Sequence, residues 1–131
     1  MKFVLNVIPR TKKNSQRLII SKGRPIIIPS ELYKQFEKEC NWMIPKEYRK
    51  KINCPVNVKA VFYTQTRRKI DLTNLLEAVD DMLVYTDVLA DDNRDVIAGH
   101  DGSRVFYDKK NPRIEIEIKK VEDYIQWKEK D

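Results

Sequence analysis

The chain has 131 residues, 41% of them hydrophobic and 35% charged, with only three glycines; 26 lysines and arginines against 20 aspartates and glutamates leave a net charge of +6. That length and composition fit one domain spanning 1–131 with a packed core, and they exclude a disordered tail, a collagen-like repeat and a low-complexity protein. No apolar run approaches the roughly 18 residues of a membrane span and the start MKFVLNVIPRTKK has too short an apolar stretch for a signal peptide, so a cytoplasmic protein without membrane contact is expected.

In chain order, Lys2 to Ile8 reads as a strand. Arg17 to Ile20 and Pro25 to Ile28 read as two short strands around the turn Ser21-Lys22-Gly23-Arg24. Pro29-Ser30-Glu31 opens a helix with Ser30 as N-cap, in which Leu32, Tyr33, Phe36, Cys40 and Met43 recur at three- and four-residue spacing until Pro45 stops it. Val56, Val58, Ala60 and Phe62 alternate with Asn57, Lys59 and Val61 as a strand that runs towards Arg67-Arg68-Lys69. From Asp71 to about Tyr85 the period becomes helical, with Leu72, Leu75, Leu76, Val79, Met82 and Leu83 on one stripe and Thr73, Glu77 and Asp80 opposite, Asp81 at the margin. Val96-Ile97 predicts a strand towards the turn Asp101-Gly102-Ser103. Ile114, Ile116 and Ile118 then alternate with Glu115, Glu117 and Lys119 in an amphipathic strand, and a polar tail from Val121 to Asp131 carries Tyr124, Ile125 and Trp127. The order points to an α+β fold, a mixed β-sheet with two helices packed on it.

Charge is segregated along the chain. Arg10, Lys12, Lys13, Arg17, Lys22 and Arg24 fall in a stretch without a single acid, whereas Asp71 to Asp95 holds eight acids against one base, a net of −7 that leaves +13 on the remainder. A basic body around a concentrated acidic segment suits a polyanion on the body and a cation on the acids. Asp71 follows the basic triplet at a strand-to-helix junction. Asp91 and Asp92 lie beyond the same helix, in a loop expected to fold back over its first turn and form a carboxylate pocket. Clustered carboxylates raise one another's pKa unless a cation neutralises them, and a hard divalent ion, magnesium by default, favours carboxylate, water and phosphate oxygens. Arg67, Arg68 and Lys69 would bind the neighbouring phosphates.

Blander roles are open to each of these residues. Asp71 suits a helix N-terminus on dipole grounds alone, Asp91-Asp92-Asn93 and Asp101 are ordinary turn residues, Glu77 and Asp80 fit a solvated face, and Thr73 fits a helix start. His100 is too solitary to be assigned catalysis. Cys40 and Cys54 lack metal-ligand spacing and read as reduced and structural.

Arg68-Lys69-Ile70-Asp71-Leu72-Thr73-Asn74-Leu75, the helix to Leu83, and Val88-Leu89-Ala90-Asp91-Asp92-Asn93 together resemble the RusA-type Holliday junction resolvases, small endonucleases of bacteria and their phages. Pro9 to Asn14 carries a weaker likeness. The resemblance covers most of the chain, and its specific part is the spacing of basic residue, Asp, Asn-Leu, helix and paired Asp. It implies a magnesium-dependent (alternatively manganese-dependent) homodimeric nuclease that cuts four-way or branched DNA symmetrically. Asp71 and Asp92 match the family's essential acids, and Asp91 is a further candidate ligand. The best-known member has a second aspartate where this chain has Thr73 and a catalytic lysine where it has Glu77. Glu77, one turn after Thr73 on the same face, is therefore the candidate replacement carboxylate with Asp81 assisting, and Lys69, Lys12 or Lys13 the candidate replacement cation. The expected catalytic set is Asp71, Asp92 and Glu77; the metal set adds Asp91; and the DNA-binding set is Lys12, Lys13, Asn14, Arg17, Arg67, Arg68, Lys69 and Thr73. Two other readings compete: a nucleic-acid binding module of the same fold without cleavage, and a restriction-type nuclease using Glu117-Ile118-Lys119 with Asp91 or Asp101 as the earlier acid.

Overall fold

The two alternating runs form the middle of one sheet. A computed structural model describes residues 1–12, 17–28 and 31–122. Its strands are β1 (Lys2–Leu5), β2 (Arg17–Ser21), β3 (Arg24–Ile28), β4 (Val56–Thr64), β5 (Ile97–Gly99), β6 (Arg104–Tyr107) and β7 (Arg113–Lys120), and its helices are α1 (Glu31–Met43) and α2 (Leu72–Tyr85). β7 pairs antiparallel with β1 on one side and with β4 on the other, and β5 and β6 both run parallel to β4 along its far edge. The fold is thus α+β with a mixed sheet and two helices. β2 and β3 pair only with each other, and their turn residues Lys22 and Gly23 both have positive φ, 52° and 76°, as a two-residue hairpin turn requires.

Period two decides which strand face is buried. Val58, Ala60 and Phe62 stand opposite Ile118, Ile116 and Ile114 in the β4–β7 register, and all of them join Leu5, Tyr33, Phe36, Leu75, Val79, Met82 and Leu83 in one core beneath the helices. Burying so many branched side chains at about 1.5–3 kcal/mol each is the main source of stability. Cys40 and Cys54 are both free thiols, and burial pushes the Cys40 thiol up to about 12.

Several expectations need correcting. The first strand ends at Leu5, three residues short of Ile8, although Val7, Pro9 and Thr11 are still buried. Leu32 and Met43 are 55% and 41% exposed, so the buried stripe of α1 narrows to Tyr33, Phe36 and Cys40, continued by Ile44 beyond the helix. β6 went unanticipated because an edge strand with three exposed residues in four has no period-two signal. It continues the line of β5 after the turn at 100–103. At that break the buried Ser103 hydroxyl accepts from Ala60 N at 3.0 Å, in place of a strand carbonyl. Gly102 there has φ +87°, a conformation that strains any other residue, and a Cβ would sit 3.1 Å from the Lys59 side chain, which would have to shift. Ser30 and the tail with Tyr124, Ile125 and Trp127 lie outside the described residues.

One arginine closes the ends of both helices. Arg49 donates to the carbonyls of Asn41 and Ile44 at the end of α1, the latter at 2.9 Å, and to that of Thr86 at the end of α2 at 3.3 Å. These are the carbonyls a helix leaves unpaired at its negative end. Replacing Arg49 with alanine is expected to lower the unfolding free energy by about 1–3 kcal/mol, the cost of leaving such acceptors unsatisfied. Arg49→Lys should recover only part of it, because an ammonium lacks the planar fork. Urea unfolding of the two variants checks this.

Candidate active site and basic cleft

The acidic face is built on α2. Its apolar stripe is fixed against the sheet, so Thr73 and Glu77 face outward, one turn apart, while Asp80 and Asp81 emerge on opposite flanks. Asp71 is the N-cap residue, but its side chain makes no capping bond and instead accepts from Asn74 Nδ2 at 3.3 Å.

On one flank Asp81 meets Lys12, which comes in from the segment after β1. The Lys12 Nζ lies 2.8 Å from Asp81 Oδ2, with both side chains about three-tenths exposed, and 5.6 Å from the centre of the Tyr33 ring. The Asp81 hydrogen bond holds Lys12 above the usual lysine pKa against the opposing effect of burial, and the charges of Asp81, Glu37 and Glu77 add to it. Burial pushes Glu37 up while Lys12 draws it back, and burial, then Glu37 and Asp81, push the Tyr33 hydroxyl up. That hydroxyl donates to Ala78 O at 3.1 Å, which ties α1 to α2 beside the cluster.

The loop after α2 returns to the same flank. Burial, followed by the adjacent carboxyls of Asp81 and Asp91, raises the pKa of Asp92. Asp91 Oδ1 accepts from Asp92 N at 2.7 Å and Asn93 Oδ1 from Asp95 N at 2.9 Å, the local turn bonding expected of these residues. The loop therefore folds back to the third turn of α2 and not to its first. Asp92, Asp91 and Asp81 come together on the flank that Lys12 occupies, with Glu77 close by, whereas Asp71 stands about 15 Å of axial rise from Asp81 at the helix start. Among the described residues no three His, Cys, Asp or Glu side chains are already arranged to hold a metal ion. The donor chemistry of Asp81, Asp91 and Asp92 nevertheless fits a hard divalent cation: all are carboxylate oxygens, and the neighbouring acids make the Asp92 anion costly without a counter-charge.

On the other flank Asp80, expected on a solvated face, has a side chain only 14% exposed and pairs with His100, whose Nε2 lies 2.8 Å from Asp80 Oδ2. This pair was invisible in the sequence because the partners stand twenty residues apart on different elements. Glu37 was missed for the same reason, since its approach to Lys12 depends on how α1 docks against α2. Asp101 is bonded to Asn57 through its backbone, consistent with a turn role.

The basic triplet borders an open cleft of about 570 Å³ between the segment after β1 and the β4–α2 connection. Arg10, Arg68 and Lys69 line it, with Leu32, Pro9 and Ile70 among its apolar walls, and among the described residues no carboxylate does. The solvent-facing Leu32 of α1 is explained here. Arg67 points elsewhere, onto the ring of Tyr107 at 4.2 Å. Lys13 and Asn14 lie outside the described residues, and only the backbone of Arg17 is described. Glu117 sits on the sheet face away from the helices, clamped by Lys119 at 3.0 Å and Lys2 at 3.1 Å, which together hold its pKa down to about 2. That neutralised pair gives no support to a restriction-type site.

The family model for endodeoxyribonuclease RusA matches residues 7–119. No curated protein matches the chain. No helix among the described residues is long and apolar enough to cross a membrane.

The His100–Asp80 pair predicts a pH dependence. The Asp80 hydrogen bond raises His100 above 6.5 against the opposing effect of burial, and a group whose pKa is higher folded than unfolded stabilises fully below the unfolded value and loses that contribution as pH rises through the folded one. Burial raises Asp80 above 3.8, which acts with the same sign at lower pH. Wild-type stability should therefore fall from pH 6 to pH 8.5, and His100→Asn should flatten that slope, as measured by urea unfolding across the range.

Proposed function

The chain belongs to the RusA endodeoxyribonuclease family, and from that premise we propose that it is a divalent-metal-dependent DNA endonuclease that resolves four-way or branched junctions by paired, symmetric phosphodiester cleavage as a homodimer. The observation that carries this reading is the apposition of two charge environments at one helix start. The acid-free basic cleft ends at Lys69 and Ile70, and the acidic face of α2 begins with the next residue, Asp71.

Duplex arms would lay their phosphates along Arg10, Arg68 and Lys69, with Thr73 as a neutral contact at the helix start. Asp92 and Asp91, with Asp81 and the nearby Glu77 from the helix, would hold the metal, magnesium or manganese, while Asp71, which matches a family essential acid, would act separately at the helix start, too far from Asp92 to share its ion. A bound divalent ion supplies charge neutralisation and a more acidic water. Lys12, of the three candidate cations, is the one supported as the replacement for a lysine on α2, because its ammonium already lies among Asp81, Glu37 and Glu77. It would lower the cost of gathering carboxylates and favour negative charge on a nearby phosphate. A dimer suits the substrate, since a dyad relating two identical sites matches a junction of approximate two-fold symmetry.

A labelled synthetic four-way junction, incubated with magnesium beside a linear duplex, tests the proposal. Paired symmetric nicks in the junction alone are expected, and Asp71→Asn and Asp92→Asn should each lose about 100-fold or more of that cleavage while binding persists. Lys12→Ala should cut cleavage with little change in affinity. Junction binding without cleavage in magnesium or manganese would leave the binding-module reading in place. Changing Arg10, Arg68 and Lys69 together to alanine should weaken junction binding and flatten its dependence on salt, the log–log slope falling by roughly 0.9 for each phosphate that the variant no longer neutralises.

A further inference from the structure

Two arginine–tyrosine stacks sit near the β4–β6 edge, and they differ in one respect. Arg113 lies 3.7 Å from the ring centre of Tyr63, and its guanidinium is also claimed by Asp108 at 2.9 Å and Glu115 at 3.0 Å. That arginine is neutralised. Arg67 lies 4.2 Å from the ring centre of Tyr107, and among the described residues it meets no carboxylate. Tyr107 is 39% exposed at the end of β6.

The second stack is held firmly. Tyr107 is paired in register with Thr64, Asp108 N donates to Thr64 O at 2.9 Å, and the Thr64 hydroxyl is shared between Thr66 O at 2.9 Å and Phe106 O at 3.2 Å. Neither Arg67 nor Tyr107 lines the basic cleft, but Thr64, the register partner of Tyr107, and Thr66 and Arg68, the chain neighbours of Arg67, do, so the stack adjoins it. An exposed aromatic ring, an uncompensated guanidinium lying over it and a groove of cations without acids are the parts from which single-stranded nucleic-acid sites are built: phosphates follow the cations, and bases stack on the flat groups whatever their sequence.

We propose that Tyr107 and Arg67 form a stacking site for an unpaired nucleobase, which receives a nucleotide splayed from the DNA branch point while Arg68, Lys69 and Arg10 hold the adjoining backbone. The proposal rests on the DNA-nuclease reading and specifies its substrate class, namely DNA with unpaired nucleotides at the branch, as opposed to continuous duplex.

The test is binding in the presence of a chelator, so that cleavage plays no part. The probes are an intact duplex and the same duplex with a central three-nucleotide single-stranded gap containing 2-aminopurine. Wild-type protein should bind the gapped form more tightly and quench the 2-aminopurine emission. Tyr107→Ala should lose about five-fold or more of the gapped-form affinity, the lower end of what removing one base stack produces, and should lose the quenching while retaining its affinity for intact duplex. Tyr107→Phe should keep both. Retained duplex affinity shows that Tyr107→Ala is folded. If the wild type shows no preference and no quenching, or Tyr107→Ala matches the wild type on both probes, the stacking site is overturned, whereas the nuclease reading stands or falls separately on metal-dependent cleavage of the four-way junction.

Discussion

A single ammonium group organises the acidic half of this protein. The segment from Asp71 to Asp95 carries a net charge of −7, and packing α2 and its following loop side by side brings Asp81 against Asp92, whose pKa rises through burial and the neighbouring carboxyls. Lys12, 2.8 Å from Asp81 and in the fields of Glu37 and Glu77, offsets that repulsion from inside the cluster. It arrives from a segment distant in sequence, so the acidic face is only as ordered as the docking of the chain after β1. On the opposite flank His100 does the same for Asp80. Lys12 and His100 thus tie two consecutive residues of the third turn of α2, one on each flank, while Thr73 and Glu77 are presented on its exposed side.

The second organising element is β4. It is the one strand with partners on both edges that also leads directly into the site: β7 covers one edge, while β5 and β6 divide the other. Because the edge strand breaks at residues 100–103, the chain makes a turn there, and this turn puts His100 beside α2 and Asp101 beside Asn57. A break in a ladder ordinarily leaves a buried amide without a partner, but the Ser103 hydroxyl takes that role for Ala60. The irregularity is thus compensated locally, and it serves to place a side chain that a continuous strand would have turned towards its neighbours.

Much of this architecture was legible in the sequence, because both periodicities were strong where burial is one-sided. The β4 and β7 alternations and the α2 stripe gave strands and helix within a residue or two of their observed ends. β6 was not legible, since a short edge strand such as Arg104–Tyr107 carries no alternation to detect. In the site, local order along the chain was readable and three-dimensional closure was not. Asp71, Glu77, Asp91 and Asp92 stand out by spacing, but that Asp92 comes to Asp81 and not to Asp71 depends on the path of residues 86–91, where Val88 and Leu89 are fully buried and Leu89 bridges to Ile52. Burial of that hydrophobic pair, which no charge pattern reveals, fixes how far back along the helix the loop can reach.

The departures at Thr73 and Glu77 take on a physical sense in this geometry. A family pattern with an aspartate at the first of these positions and a lysine at the second places a carboxylate and an ammonium one turn apart on α2. In the proposed assignment the carboxylate stands at the second position and Lys12 delivers the ammonium from outside the helix to Asp81, one turn further on, so both charge types are kept, each shifted about one turn along the helix. An ammonium from another segment is not fixed to the helix backbone. It depends on its hydrogen bond to Asp81 and its approach to the Tyr33 ring, 5.6 Å away. The Lys12 ammonium is therefore coupled to the packing of α1 against α2, and a substitution at the buried Tyr33 would disturb the electrostatics of the acidic face as well as the core.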